Sequence, residues 1–229
     1  MKITLQPTLL ILLTAAFLSS GSTGSARKTL RLFNGKDLKG WYIFHAKRAK
    51  NEDPNQVFKV ENRMLHVSGK EFGYLCTERS NFRNFRLIVE FKWGINRYAP
   101  RENAKRDSGI IYHIPPDAED RVYPTGIECQ IQEGDVGDFW LVGDTTIEVD
   151  GVRNAPGRSV RMVKKRDTEK PTGEWNRIEV ISKDGTCTHL VNGVEVVKGS
   201  KASVTEGKIL LQSEGAEVFY RKVELRELP

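Results

Sequence analysis

The sequence predicts an all-β fold, a two-sheet antiparallel sandwich or jelly roll, and three observations carry that reading. Period-two alternation dominates, no long stretch carries a helical stripe, and Gly, Pro, Asn and Asp turns separate many short alternating runs. The clearest run is Phe85 to Trp93 (FRLIVEFKW). Leu87, Val89, Phe91 and Trp93 face one way there, and Arg86, Ile88, Glu90 and Lys92 the other. Gly126 to Glu133 (GIECQIQE) repeats the pattern, with Ile127, Cys129 and Ile131 opposite Glu128, Gln130 and Gln132. Thr188 to Val197 reads THLV-NG-VEVV, and Asn192-Gly193 supplies the two positive-φ positions of a type I′ hairpin turn. Further strands are expected at Met64–Val67, Tyr74–Thr77, Gly109–Ile114, Trp140–Val149, Trp175–Ser182, Lys208–Gln212 and Val218–Leu225. Pro115 to Pro124 and Asp150 to Gly173 read as long loops, which in a compact domain are often functional.

Met1 and Lys2 give the 229-residue chain a basic start, Leu9 to Leu18 is an apolar run, and Ser19 to Ala26 is rich in small residues. That layout matches a secretory signal peptide, with an apolar run shorter than the ~20 residues of a membrane span. The expectation is a signal peptide over 1–26 and one β-sandwich domain over 27–229. Cleavage near Ala26 would deliver it to the periplasm or the medium, without a membrane span in the mature chain. Charged residues at 29% and hydrophobic ones at 38% exclude a polytopic membrane protein, and ten Phe, six Tyr and four Trp argue against disorder. The net charge of +6 gathers partly in Arg158 to Lys170, but no helix-turn-helix, zinc-finger or RNA-recognition pattern accompanies it. A solvated basic surface is expected, and no nucleic-acid partner. Cys76, Cys129 and Cys187 are too few for a disulfide framework; one bridge with an odd thiol and three buried thiols both stay open.

In a sandwich, one face of each sheet meets water. Glu128, Gln130 and Gln132 then form a row of hydrogen-bonding groups spaced ~7 Å apart, and Glu90 with Lys92 makes a similar pair. Such rows suit sugar hydroxyls, which need both donors and acceptors. Two-carboxylate glycosidases need paired acids across the scissile bond. The stretch Glu128 to Glu133 has amides where the E-x-D-x-x-E strand of jelly-roll glucanases carries further acids. His113 ends its strand and could ligate a metal or move a proton near pH 7, whereas His189 shares a face with Val191 and reads as a core histidine. Asp135 and Asp138, in a Gly-rich loop, could offer oxygens to calcium, without EF-hand spacing. No GxSxG, P-loop or dinucleotide fingerprint occurs, so no nucleotide or organic cofactor is expected.

Leu32 to Trp41 (LFNGKDLKGW) is similar to the opening signature of the 3-keto-disaccharide hydrolase domain family. Matches to that family follow in order at Asn84–Glu90, Asp107–Tyr112, Gly126–Gln132, Gly173–Asn176, His189–Gly193, Ile209–Gln212 and Val218–Leu228. The resemblance implies a concanavalin A-like jelly roll that cleaves glycosides already oxidised to a ketone at C3. That ketone acidifies the C2 proton, and the C1 leaving group lies β to it, so one base can expel the aglycone by elimination, with or without later hydration. On this reading Glu128 is the base or a metal ligand, and Gln130 and Gln132 grip sugar hydroxyls. Glu90 and Lys92 stabilise the enolate or bind a metal, His113 is a ligand or second proton-transfer group, and Gln212 and Glu214 line the far side of the cleft. A divalent metal held by Glu128 and His113 is the one cofactor admitted, and a small carbohydrate is the expected partner. Arg221 fits a family arginine and is expected to face with Phe219, Val223 and Leu225. A non-catalytic carbohydrate-binding module on the same fold is the alternative.

Overall fold

The computed structural model describes Met1, Lys2 and residues 29–229, so the expected leader lies outside the described residues apart from its first two. The strands in chain order are β1 (Thr29–Arg31), β2 (Trp41–His45), β3 (Phe58–Glu61), β4 (Met64–Val67), β5 (Gly73–Thr77) and β6 (Phe85–Arg97). There follow β7 (Gly109–Ile114), β8 (Gly126–Gln130), β9 (Phe139–Val142), β10 (Glu148–Val149), β11 (Val152–Arg153) and β12 (Ser159–Met162). The chain closes with β13 (Asn176–Lys183), β14 (Thr186–Val191), β15 (Val194–Gly199), β16 (Lys208–Ser213) and β17 (Ala216–Glu227). One sheet runs β15-β14-β13-β6-β17-β4-β3 with β1 also on β17; the second runs β12-β9-β8-β7-β16-β5-β2. Their pairings are antiparallel, so the all-β sandwich expected from alternation is the fold. Among the described residues no helix is long and apolar enough to cross a membrane.

The core lies between the sheets. Phe85, Leu87, Val89, Phe91 and Trp93 of β6 share one buried cluster with Ile110, Tyr112, Ile127, Cys129 and Ile131 from the other sheet. Full burial of each such side chain contributes ~1.5–3 kcal/mol, which fixes which face of β6 and β8 turns inward. Asn192 and Gly193 take φ of 52° and 85° between β14 and β15, as the hairpin signal requires. All three cysteines are buried free thiols.

Four local expectations are corrected. Trp140–Val149 is not one strand: Gly143 and Asp144 adopt φ of 67° and 63°, and β9 ends before them. The 150–173 segment contains β11 and β12 rather than loop alone, because Ser159–Met162 adds an edge strand to β9. In β7, Tyr112 pairs with Ile209 and Ile114 with Lys208, so His113 is an unpaired bulge residue at φ 57°. In β17, Tyr220 pairs with Phe91 and Lys222 with Glu90, so Arg221 bulges out. Val223 and Leu225 are therefore core residues while Arg221 faces outward beside the half-exposed Phe219.

Candidate functional site

The outward face of the second sheet is divided into two halves. Tyr42, Tyr74, Cys76, Ile111, Ile114 and Leu210 form an apolar patch on it. The 115–124 loop covers that patch: Ala118 packs on it, and the Tyr42 and Tyr74 hydroxyls donate to Asp120 Oδ1 at 2.8 and 2.6 Å. The other half is polar and opens into a cavity of about 640 Å³. Asp107, Glu128, Gln130, Gln132 and Glu214 lie in it, walled by Arg101, Tyr123 and Trp140.

Strand register places the floor. Glu128 stands opposite Ile111, and Gln130 opposite Gly109, on neighbouring strands β8 and β7. A Cβ at Gly109 would stand 2.0 Å from Glu128 Oε1 and 2.1 Å from Gln212 Oε1. Only glycine lets the two side chains lie across that strand. Arg101 enters from the turn after β6, whose Tyr98 N–H donates to the Gly215 carbonyl at 2.8 Å. The same turn closes with the Arg101 N–H on the Tyr98 carbonyl at 2.7 Å.

Three acids share one cation here. Asp107, Glu128 and Glu214 are 4%, 5% and 4% exposed. Arg101 is ion-paired with Asp107 and stands 3.4 Å from Glu214. Gln132 Nε2 donates to Asp107 Oδ2 at 2.6 Å. Burial pushes Asp107 up to about 6 against the pull of Arg101. Burial, then the negative charge of Asp107, raises Glu214 to about 8. Glu128 is held well above the usual carboxylate range by burial, then by Glu214 and Asp107. The three acids therefore compete for one cation: Glu214 is driven toward its protonated form, and Arg101 favours the ionised form of Asp107. Gln212 Nε2 and Oε1, Asp107 Oδ1, Arg101 Nε and Trp140 Nε1 are buried with no hydrogen-bond partner among the described residues. Donors and acceptors left unpaired together are what a polyhydroxylated ligand satisfies.

The sequence-predicted residues divide accordingly. Glu128, Gln130, Gln132 and Glu214 line the cavity, with Gln212 against Glu128. His113, Glu90 and Lys92 do not come there. The β7 bulge turns His113 into the space between the sheets, where it is fully buried, shares a 2.7 Å hydrogen bond with Ser182 Oγ, and is lowered to about 4 by burial. Glu90 and Lys92 lie on the outward face of the other sheet: Glu90 pairs with Arg221 and Arg177, and the Lys92 ammonium sits 5.2 Å over the Trp175 ring. Alternation places residues on a face but does not say which sheet owns the strand.

Glu128 and His113 do not come together as one metal site. His113 cannot join Glu128 on one ion from inside the core, and among the described residues no three His, Cys, Asp or Glu side chains form a metal-holding group. Asp138 is fully buried against Arg161 and the Lys164 N–H, and Asp135 pairs with Lys105 and Arg161, so that loop spends its oxygens on ion pairs. His189 is a core residue as expected, hydrogen-bonded to the Tyr112 hydroxyl and the Gly137 carbonyl. Alternation missed Asp107, Arg101, Tyr123 and Trp140. Asp107 opens a motif that the family resemblance already marked; Arg101 and Tyr123 lie in loops, where side-chain periodicity carries no signal.

Solved structures share this architecture. A Parabacteroides distasonis protein, whose name provisionally assigns it to the glycosyl hydrolases, is 22% identical with a TM-score of 0.61, over 88% of this chain and 94% of its own. The carbohydrate-binding module CBM66 from Bacillus subtilis is 8% identical with a TM-score of 0.57, over 82% of this chain and 96% of its own. A Bacillus licheniformis β-glucanase is 11% identical with a TM-score of 0.54, over 90% and 100%. At these identities they establish the concanavalin-like jelly roll and nothing finer. No curated protein matches the chain. The profile of the 3-keto-α-glucoside-1,2-lyase-like domain matches residues 28–226, nearly the whole described chain, and the protein belongs to that 3-keto-disaccharide hydrolase family.

Proposed function

We propose that this is an exported enzyme that cleaves 3-keto-glycosides in the Asp107–Glu128–Glu214 cavity. The observation that supports it most is three buried acids served by one cation, which sets up a carboxylate and carboxylic acids side by side. Glu128 has no ion pair and no side-chain hydrogen bond among the described residues, so its carboxyl group is free to meet the sugar. In its ionised form Glu128 takes the C2 proton. Electrons move into the C2–C3 enolate, the C1–O bond breaks by elimination, and Glu214, protonated at neutral pH, returns a proton to the departing oxygen. Arg101 offers N–H donors to the enolate oxygen, and water adding across C1–C2 completes net hydrolysis.

Incubation of the purified protein with 3-keto-maltose or a 3-keto-β-glucoside tests this. Release of the aglycone together with a 3-keto-glucal or 3-keto-glucose is expected, assayed with and without chelator. No product with any 3-keto-glycoside would sink the reading. A second reading, a non-catalytic carbohydrate-binding module, is favoured by Trp140 in the cavity wall with its indole N–H unpaired. Saturable sugar binding without turnover would establish that instead.

A further inference from the structure

The cavity has two electrostatic ends. Its floor is acidic and answered by Arg101, whereas its rim carries Arg121 and Arg158, both exposed. Among the described residues neither has an ion-pair partner; the one side-chain hydrogen bond between them is Arg121 Nη2 to Thr125 Oγ1 at 3.2 Å. Arg121 follows Asp120, whose carboxylate is fixed by two tyrosine hydroxyls and stands 3.6 Å from Lys50 Nζ. The latch that closes the 115–124 loop on the sheet thus sets the backbone from which Arg121 projects. Arg158 is placed by the β9–β12 edge: the Gly143 N–H donates to its carbonyl at 3.1 Å, and the Asp144 N–H donates to the Gly157 carbonyl at 3.0 Å. The two meet at Gly143, where a Cβ would stand 2.3 Å from Thr125 Oγ1 and 3.1 Å from Arg121 Nη2. A side chain there would clash with Thr125, the hydrogen-bond partner of Arg121.

We infer that this rim recognises an anionic substituent, a carboxylate or sulfate ester, on the part of the substrate beyond the reacting sugar. Guanidinium groups bind such oxyanions through paired N–H donors. The floor's one cation, Arg101, is already ion-paired with Asp107 and leaves the unpaired guanidinium groups at the rim, which fixes the orientation: neutral keto-sugar inward, charged residue outward. The inference rests on reading the cavity as a carbohydrate site, and it makes the expected substrate an acidic glycoside.

Calorimetric binding of three disaccharides decides it, one neutral, one ending in a uronate and one carrying a 6-sulfate, with no ketone in any of them. Binding of one or both acidic ligands about tenfold tighter than the neutral one is expected. That advantage should shrink at high salt and vanish in Arg121→Ala/Arg158→Ala. Which acidic ligand gains tells carboxylate from sulfate. Equal binding of all three, or a preference that survives the double substitution, would overturn the inference and leave the reaction standing. A charge preference in a protein that turns over no 3-keto-glycoside would support the inference while removing the proposed reaction.

Discussion

Glu128 and Gln212 reach across one glycine from opposite sides, each placing an Oε1 atom about 2 Å from where a Cβ on Gly109 would be. The site is therefore built on a missing side chain. Gly109→Ala should displace both groups. Overpacking of this kind costs ~1–3 kcal/mol, and the loss in kcat/KM should exceed what that destabilisation explains. A thermal melt alongside steady-state kinetics checks it; a fully active Ala variant would show that the two side chains have other room.

Glu128→Gln replaces a buried carboxyl group that makes no ion pair with an amide of nearly the same shape. Its fold should be retained with little change in Tm. The rate of 3-keto-glycoside cleavage should fall by the ~10²–10⁴-fold typical of a lost general base. A variant retaining full activity would take the base away from Glu128.

Raised carboxyl pKa values make the site a pH-dependent burden on stability. Glu214 titrates near 8 in the fold against 4.5 unfolded, so the native state holds the extra proton in between. Its stabilising effect is whole below about 4.5 and is lost as pH rises through about 8. Asp107, raised from 3.8 to about 6, acts in the same direction over a lower window. The buried His113 and His189, each lowered to about 4, act oppositely between there and 6.5. The difference between wild type and Glu214→Gln isolates the acid: the wild type should lose stability relative to the variant from pH 5 to 8.5. Urea unfolding at several pH values reads it, and a pH-independent difference would refute the assignment.

His113 and Glu90 should separate stability from activity. His113→Ala removes a buried bridge to Ser182 in the opposite sheet and leaves a cavity. A cost of ~2–4 kcal/mol is expected, with the activity of the folded fraction preserved. Glu90→Gln weakens a surface ion-pair cluster with Arg221 and Arg177 by at most ~1 kcal/mol and should leave kcat/KM unchanged. A large fall in kcat for either variant, at equal folded fraction, would return these residues to the site.

The sequence by itself determined which residues turn inward along β6 and β8, because a strand's two faces alternate strictly and burial of one face fixes the phase. It likewise determined the Asn192-Gly193 hairpin, where two positive-φ positions are demanded locally. The row Glu128–Gln130–Gln132 was legible for the same reason, and the ordered family motifs supplied the chemistry that alternation cannot. Tertiary structure decided the rest. One unpaired residue in β7 turned His113 from the expected site face into the core, and one in β17 parted Arg221 from Val223 and Leu225. Strand pairing put Glu90 and Lys92 on the other sheet, and loops delivered Arg101 and Tyr123 beside Glu128. Period and turn chemistry act over a few residues and are written in the chain. Bulges, sheet membership and loop docking depend on partners far along it, and only the folded register reveals them.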